Sequence, residues 1–364
     1  MNICIIGDGL TSLTLAKNLI NKKINVHIYW KKKISKFSPT RTIGISKSNL
    51  KYFEKEILTI PKKNKWIIKE IEIYTEKQKT NKILNFENNK KPLFYMVKND
   101  EIYKSLNNKL SKNKLFKKIK IKKNFYNQLI KKNVYDLIIN CDHDNPISKK
   151  YFTKKIDKDY ENLAYTTILE HEKLENNSAI QVFTNLGPIA FLPMSRTKTA
   201  IVFSIDIKDR VYDDNEIINF INRYNLKFKT RKILKLNNFR LQSSNLRKYY
   251  YKNILAFGDL LHKVHPFAGQ GFNMTLRDIK TLSEIIQDKI ELGLQLDQLI
   301  FEEFQNKKKN KNFIFSTGID FIYEIFNFNK KNRGNNLNNI FKVFQINKNF
   351  INKFIKLADK GLNT

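Results

Sequence analysis

Residues 2–30 read NICIIGDGLTSLTLAKNLINKKINVHIYW, and their apolar period changes twice. The run Ile3 to Ile6 has the length of a buried strand and stops at Gly7. Leu13, Ala16, Leu19 and Ile20 then keep to one helical face, and Ile24 to Trp30 reads as a second strand. Strand, glycine turn, helix and strand make a βαβ unit, with GxGxxS at the turn where a nucleotide fold takes a pyrophosphate. Gly7 permits the tight turn, Gly9 lets a phosphate approach bare backbone, and the helix start offers free N–H groups. Ser12 holds the third glycine position, where close packing of helix on strand needs only a small side chain. Trp30 ends the second strand, where an acidic residue ordinarily accepts hydrogen bonds from an adenosine ribose. A generic α/β turn without ligand is the alternative reading.

A second glycine cluster lies far along the chain. Glycine and proline are sparse, at 11 and 7 residues, yet Gly258, Pro266, Gly269 and Gly271 crowd the stretch AFGDLLHKVHPFAGQGFNMTLRD, residues 256–278. The strand-like NILAF precedes Gly258 and Asp259. A loop with His262, His265 and Pro266 follows, and AGQG leads into a helix marked by Leu276, Ile279, Leu282, Ile285 and Ile286. Glycines at a helix start let a flat ring lie against backbone, while the N–H groups and the helix dipole stabilise negative charge there.

GDLLHKVHPFAGQGFNMTLRD resembles the second FAD motif of the class A flavoprotein aromatic hydroxylases, most specifically the ubiquinone-biosynthesis hydroxylases. Gly258, Asp259, His265, Pro266, Ala268, Gly269, Gln270, Gly271, Asn273 and Asp278 match that motif, and Thr275 replaces its usual glycine. Weaker echoes follow in family order: RTIGISKSN around Arg41 and Ser46, MVKNDEIYKSL, and the segment carrying His171, Glu172, Gly187, Pro188, Leu192 and Pro193. YDLIINCDHDNPIS stands where the family has its DG motif, with Asp142 present and His143 in place of glycine.

The resemblance implies an FAD-dependent monooxygenase that hydroxylates the aromatic ring of a polyprenylated phenol in ubiquinone biosynthesis through a C4a-hydroperoxyflavin. Dioxygen would be the cosubstrate, and NADPH, NADH or another reductant the electron donor. Cofactor contacts are implied for Gly7, Gly9, Ser12, Arg41, Asp259, Gly269, Gln270, Gly271 and Asn273. His265 and Pro266 are the implied catalytic pair, with fixing of the loop as the alternative role for His265; His171 reads as part of the sheet. The departures at Trp30 and His143 keep open a second function, a catalytically weakened flavin-fold subunit acting as a partner in a quinone-biosynthesis assembly. A basic surface-binding protein is the third.

Charge and composition bound these readings. Lys and Arg number 68 against 34 Asp and Glu, a net charge of +34, but the lysines are spread along the whole chain among Asn and Ile. A solvated basic surface explains them best, an anionic membrane surface comes next, and no nucleic-acid motif accompanies them. Cys4 and Cys141 lie in apolar strand-like runs and read as buried free thiols, with no metal-ligand spacing. No stretch has the length and apolarity of a membrane span, since Asp320 and Glu324 interrupt FIFSTGIDFIYEIF. The expected location is cytoplasmic, with peripheral contact at the inner face of the membrane. NNIFKVFQINKNFINKFIKLADK, a basic amphipathic pattern with Ile340, Val343, Phe344, Phe350, Ile351, Phe354 and Ile355, is the candidate contact; docking on the protein is the alternative.

The expected fold class is α/β: a doubly wound, Rossmann-like FAD-binding lobe with an antiparallel-sheet substrate lobe and a helical C-terminal segment. The FAD lobe is expected from the discontinuous pieces 1–65, 98–150 and 250–300, the substrate sheet from 66–97 and 151–249, and the helical segment from 301–364.

Overall fold

The computed structural model describes residues 1–31, 41–76, 82–89, 91–131, 134–208, 210–266, 269–331 and 348–362. Its first sheet has six strands in the spatial order Tyr250–Tyr251 (β16), Ile254–Ala256 (β17), Leu137–Asn140 (β9), Asn2–Ile6 (β1), Asn25–Trp30 (β2) and Phe116–Lys120 (β8). Only β16 with β17 is antiparallel. Parallel strands covered on both faces carry continuous apolar runs, and Ile3, Cys4, Ile5 and Ile6 are fully buried. Leu10–Asn21 (α1), Lys47–Glu56 (α2), Asn99–Ser111 (α3), Phe125–Lys131 (α4), Pro146–Tyr151 (α5) and Gly271–Glu291 (α7) belong to this lobe. Leu13, Leu15, Leu19, Leu106, Ile279 and Ile286 from these helices share one core with the sheet.

The second sheet has nine strands. In order they are His262–Lys263 (β18), Asn237–Leu246 (β15), Lys155–His171 (β10), Lys198–Asp206 (β13), Pro188–Pro193 (β12), Ser178–Phe183 (β11), Glu70–Thr75 (β5) and Leu84–Glu87 (β6), with Thr230–Ile233 (β14) also on β10. All its pairs are antiparallel except β5 with β11, so the expected antiparallel sheet carries one parallel junction. Asp213 and Glu216 form a capping box at the start of Asp214–Tyr224 (α6), which buries Ile217, Ile221 and Tyr224 against Phe203 and Phe228. Burying each such large apolar side chain contributes about 1.5–3 kcal/mol.

Thr42–Ser46 (β3), Phe94–Lys98 (β7) and Lys65–Ile68 (β4) form a third, small sheet. The expected substrate segment 66–97 is therefore shared: β5 and β6 join the large sheet, while β7 and most of β4 pair with or beside β3. At the other end β18 pairs with β15, through Lys263 with Ser244 and His262 with Asn245. That pairing ties the second glycine motif to the nine-stranded sheet.

Two further helices, Leu299–Lys331 (α8) and Lys348–Lys360 (α9), complete the described chain. One side of α8 packs Phe315 and Ile319 on Val264 and Met274, while Phe313, Ile314 and Phe321 face solvent. The α9 helix lies on the protein. Ile351 packs beside Ile73, Ile83, Leu84 and Phe183, and the Phe354 ring stacks on Phe86 at 5.4 Å. The Asp359 carboxylate accepts the Ser48 N–H at 2.7 Å, at the start of α2. Docking, the alternative for this amphipathic segment, is what the structure shows for 348–362; Ile340, Val343 and Phe344 lie outside the described residues.

Candidate active site

Because β17, β9, β1 and β2 are parallel neighbours, the turns leaving their C-terminal ends gather at one edge of the sheet. The first of these turns holds Gly7 at φ +101°, a conformation other residues rarely adopt, and the Gly7 N–H donates to the Tyr29 carbonyl at 2.8 Å. Gly9 caps α1 without a side-chain hydrogen bond, and a Cβ placed on it would meet nothing within 4 Å. Ser12 is fully buried in the same helix, where the small side chain allows α1 to sit close to the sheet.

The turn after β9 lies beside the first. A Cβ on Gly7 would be 3.4 Å from the Asp142 Cβ. Asn140, wholly buried, organises this turn: its Nδ2 donates to Ser148 Oγ at 2.8 Å, and its Oδ1 accepts from Asn145 Nδ2 at 2.8 Å and from the Asp142 N–H at 3.2 Å. His143 is exposed and is absent from the described non-glycine residues with positive φ, which are Lys23, Asn89, Asn124, Glu161 and Lys252. Loss of the motif's glycine therefore imposes no left-handed strain here.

The turn after β17 brings in the second motif. Gly258 meets Thr11 of α1 so closely that a Cβ on it would lie 2.8 Å from Thr11 Cγ2, and Asp259 beside it is exposed. Farther on, Gly269 stands exposed at φ +59° with nothing within 4 Å of a Cβ position, and Gln270 caps α7 with no side-chain bond. The Gln270 side chain is buried, and its Oε1 has no hydrogen-bond partner among the described residues. Gly271 opens α7.

Asn273 spends its amide on protein groups. Its Nδ2 donates to the Gly44 carbonyl at 2.9 Å and the Gly269 carbonyl at 3.2 Å, and its Oδ1 accepts the Ser46 N–H at 2.9 Å. It clamps the loop to β3, the strand on which Arg41 is the exposed preceding residue. Thr275, in the place of the usual glycine, is buried and returns a hydrogen bond to the Gly271 carbonyl at 3.2 Å.

His265 is buried between aromatic rings, with Tyr160 edge-on at 4.7 Å between centroids and Tyr323 at 4.3 Å. Burial, aided by the Lys158 charge, pushes its pKa down to about 3, so the ring is neutral through the physiological range. The ring is thus packed into the protein between Tyr160 and Tyr323, and Pro266 follows it half-buried. His171 proves structural: Nδ1 meets the Glu172 carbonyl at 2.8 Å and Nε2 meets Thr199 Oγ1 at 3.0 Å.

Sequence reasoning missed the clasp behind the loop. Asp278 is completely buried, with Lys308 Nζ at 3.0 Å, His262 Nε2 at 2.5 Å and Asn312 Nδ2 at 3.2 Å. Burial alone would raise its pKa, but Lys308 and then His262 outweigh burial and bring it down to about 2. Lys308 and Asn312, one turn apart on α8, thus join that helix to α7 and β18. Lysine is so common in this sequence that Lys308 carried no local signal.

These features fit FAD. Two helix starts, at Gly9 and Gln270, have no side-chain cap, the backbone at Gly9 and Gly269 is open, and a buried amide oxygen at Gln270 has no partner among the described residues. Among the described residues no cluster of His, Cys, Asp or Glu could hold a metal ion.

Fold and site together define the class A flavoprotein monooxygenase architecture. Among solved structures the chain is similar to HpxO of Klebsiella pneumoniae complexed with FAD and uric acid, with a TM-score of 0.75 at 10% identity over 98% of this chain and 96% of that one. The squalene epoxidase family profile matches residues 175–363, more than half of the chain, and the chain belongs to that family. It is 24% identical to the mitochondrial ubiquinone biosynthesis monooxygenase COQ6 of Dictyostelium discoideum, over 89% of this chain and 84% of that protein. It is 26% identical to the 3-demethoxyubiquinol 3-hydroxylase of Escherichia coli over 42% of this chain and 41% of that protein. With several further curated relatives, ubiquinone biosynthesis monooxygenases among them, the match spans half of their length or less.

Proposed function

We propose that this chain is an FAD-dependent aromatic-ring monooxygenase that hydroxylates a polyprenylated phenol in ubiquinone biosynthesis. The observation that carries the reading is the meeting of the Gly7, Asp142 and Gly258 turns at one sheet edge, with the Gly269 to Gly271 helix start beyond them. Relatives named for ubiquinone hydroxylation support the substrate class. Bound FAD supplies activation of dioxygen and delivery of one oxygen atom to the ring, with NADPH, NADH or another reductant as the electron source.

The remaining work falls to the protein. Gly7, Gly9 and the start of α1 hold the pyrophosphate, with Ser12 keeping the helix close. Asp259 accepts from the ribityl hydroxyls, and Arg41 stands by the cofactor from the entrance to β3. Gly269, Gln270 and Gly271 present backbone and the buried amide to the flavin's pyrimidine edge, where the α7 dipole favours negative charge. Asn273 and the neutral His265 position that loop, and Pro266 walls the reacting face. The large sheet covers the face and excludes water.

The polyprenyl tail calls for a lipid surface, and the exposed apolar side of α8 is our candidate for peripheral contact with an anionic membrane. No described helix is long and apolar enough to cross one. The test is to titrate the chain with FAD and then, with NADPH, NADH or a chemical reductant supplied, measure oxygen consumption on adding short-chain prenylphenols. Flavin uptake with substrate-dependent consumption is expected; uptake without consumption for any prenylphenol would favour the non-catalytic partner in a quinone-biosynthesis assembly.

A further inference from the structure

Asp8 sits between Gly7 and Gly9, where a carboxylate directed at a pyrophosphate would repel it. The structure turns it elsewhere. Lys118 of β8 approaches from beyond β2, with Nζ 3.2 Å from Asp8 Oδ2. Because β2 lies between β1 and β8, this pair spans the C-terminal end of β2. Lys118 Nζ is also 5.9 Å from the centre of the Trp30 ring and 5.8 Å from that of Tyr103, and it donates to Asn107 Oδ1 at 3.5 Å. Asp8 is 8% exposed, so it is shielded but reachable.

The end of β2 is where a nucleotide fold places the acid that binds a ribose. Trp30 takes that position here, and a carboxylate from the neighbouring turn has been drawn across it. Resting on the FAD reading, we propose that Asp8, held by Lys118, accepts hydrogen bonds from the adenosine ribose in place of the absent acid at the strand end. The pair does two things at once. Lys118 neutralises a charge next to the pyrophosphate, and it fixes the carboxylate at the ribose side of the crevice. The Trp30 ring, at a position no longer required to supply an acceptor, would offer a flat apolar wall to the adenine.

The test pairs protein variants with FAD and its 2′-deoxyadenosine analogue, read as dissociation constants by quenching of flavin fluorescence. In the unaltered chain, removing the hydroxyl is expected to weaken binding about tenfold. In Asp8→Ala, FAD itself binds about tenfold more weakly and the missing hydroxyl costs nothing further, because the two deletions remove one interaction. Lys118→Met, which keeps the carboxylate but frees it, should also weaken FAD and guards against an Asp8→Ala chain that fails to fold. Asp8→Ala binding FAD within twofold of the unaltered chain, or an equal cost of the deoxy analogue in both, overturns this assignment while leaving the cofactor in place. An unaltered chain that takes up no FAD overturns the cofactor reading, and the ribose assignment with it.

Discussion

On the proposed reading, Gly269 concentrates the chemistry of the site in one residue. Its left-handed backbone and the absence of any described atom within 4 Å of a Cβ position mean that, on that reading, a side chain there would meet cofactor. Asp tolerates that conformation, so Gly269→Asp is expected to fold, with a loss of roughly 1 kcal/mol from backbone strain. Its charge would oppose the negative charge that a reduced flavin places near the α7 start, and we expect at least a hundredfold loss of hydroxylation. Gly269→Asn separates the two effects, since it has the same shape without the charge and should retain more activity. Thermal melts and prenylphenol turnover of the two variants check this; full activity in the Asp variant removes the loop from the site. Both glycine motifs were legible in the sequence because they pack special backbone and helix periodicity into short stretches. Asp8 was legible only as a problem. Its solution, Lys118, lies on another strand, and nothing local marks one lysine among so many.

At the scale of elements, the second motif is a loop gripped from behind. β18 fastens it to the nine-stranded sheet, Asn273 to β3, and α8 closes over His265 with Tyr323 and over Asp278 with Lys308. The grip on His265 has a pH signature with a definite sign. Its folded pKa of about 3 lies below the 6.5 of a free histidine, so the unfolded chain takes up the proton first. Stability from this group is fully present above pH 6.5 and is lost as the pH falls toward 3, by up to about 1.4 kcal/mol per unit. His265→Phe should therefore flatten the decline of the urea midpoint between pH 7 and pH 5 relative to the unaltered chain. An unchanged slope would mean that the buried ring is not the group titrating there. The sequence showed these elements but not their partners. Alternation marks β4, β5, β6 and β7 as strands, yet which edge each joins depends on neighbours far along the chain. The small third sheet and the parallel junction of β5 with β11 were hidden for that reason.

At the scale of the whole molecule, the net charge of +34 and the apolar surface of α8 belong to one argument. An amphipathic helix reads alike whether its apolar side meets lipid or protein, and for α9 the structure shows protein. On α8 the inner side grips the loop, while Ile314 is 58% and Phe321 65% exposed, two turns apart, with Lys307 and Lys311 in the preceding turns. Burying those two side chains in a bilayer interface contributes about 1.5–3 kcal/mol each, and nearby lysines add attraction to anionic headgroups. We therefore expect the protein to sediment with vesicles of mixed neutral and anionic lipid at low salt and to be released at high salt. Ile314→Ser with Phe321→Ser should weaken that binding at least tenfold, whereas Ile351→Ser on the docked α9 should lower the melting temperature without a comparable loss of lipid binding. Equal binding to purely neutral vesicles would remove the electrostatic part of the argument. Unchanged binding by the α8 double variant would remove α8 itself as the proposed membrane contact.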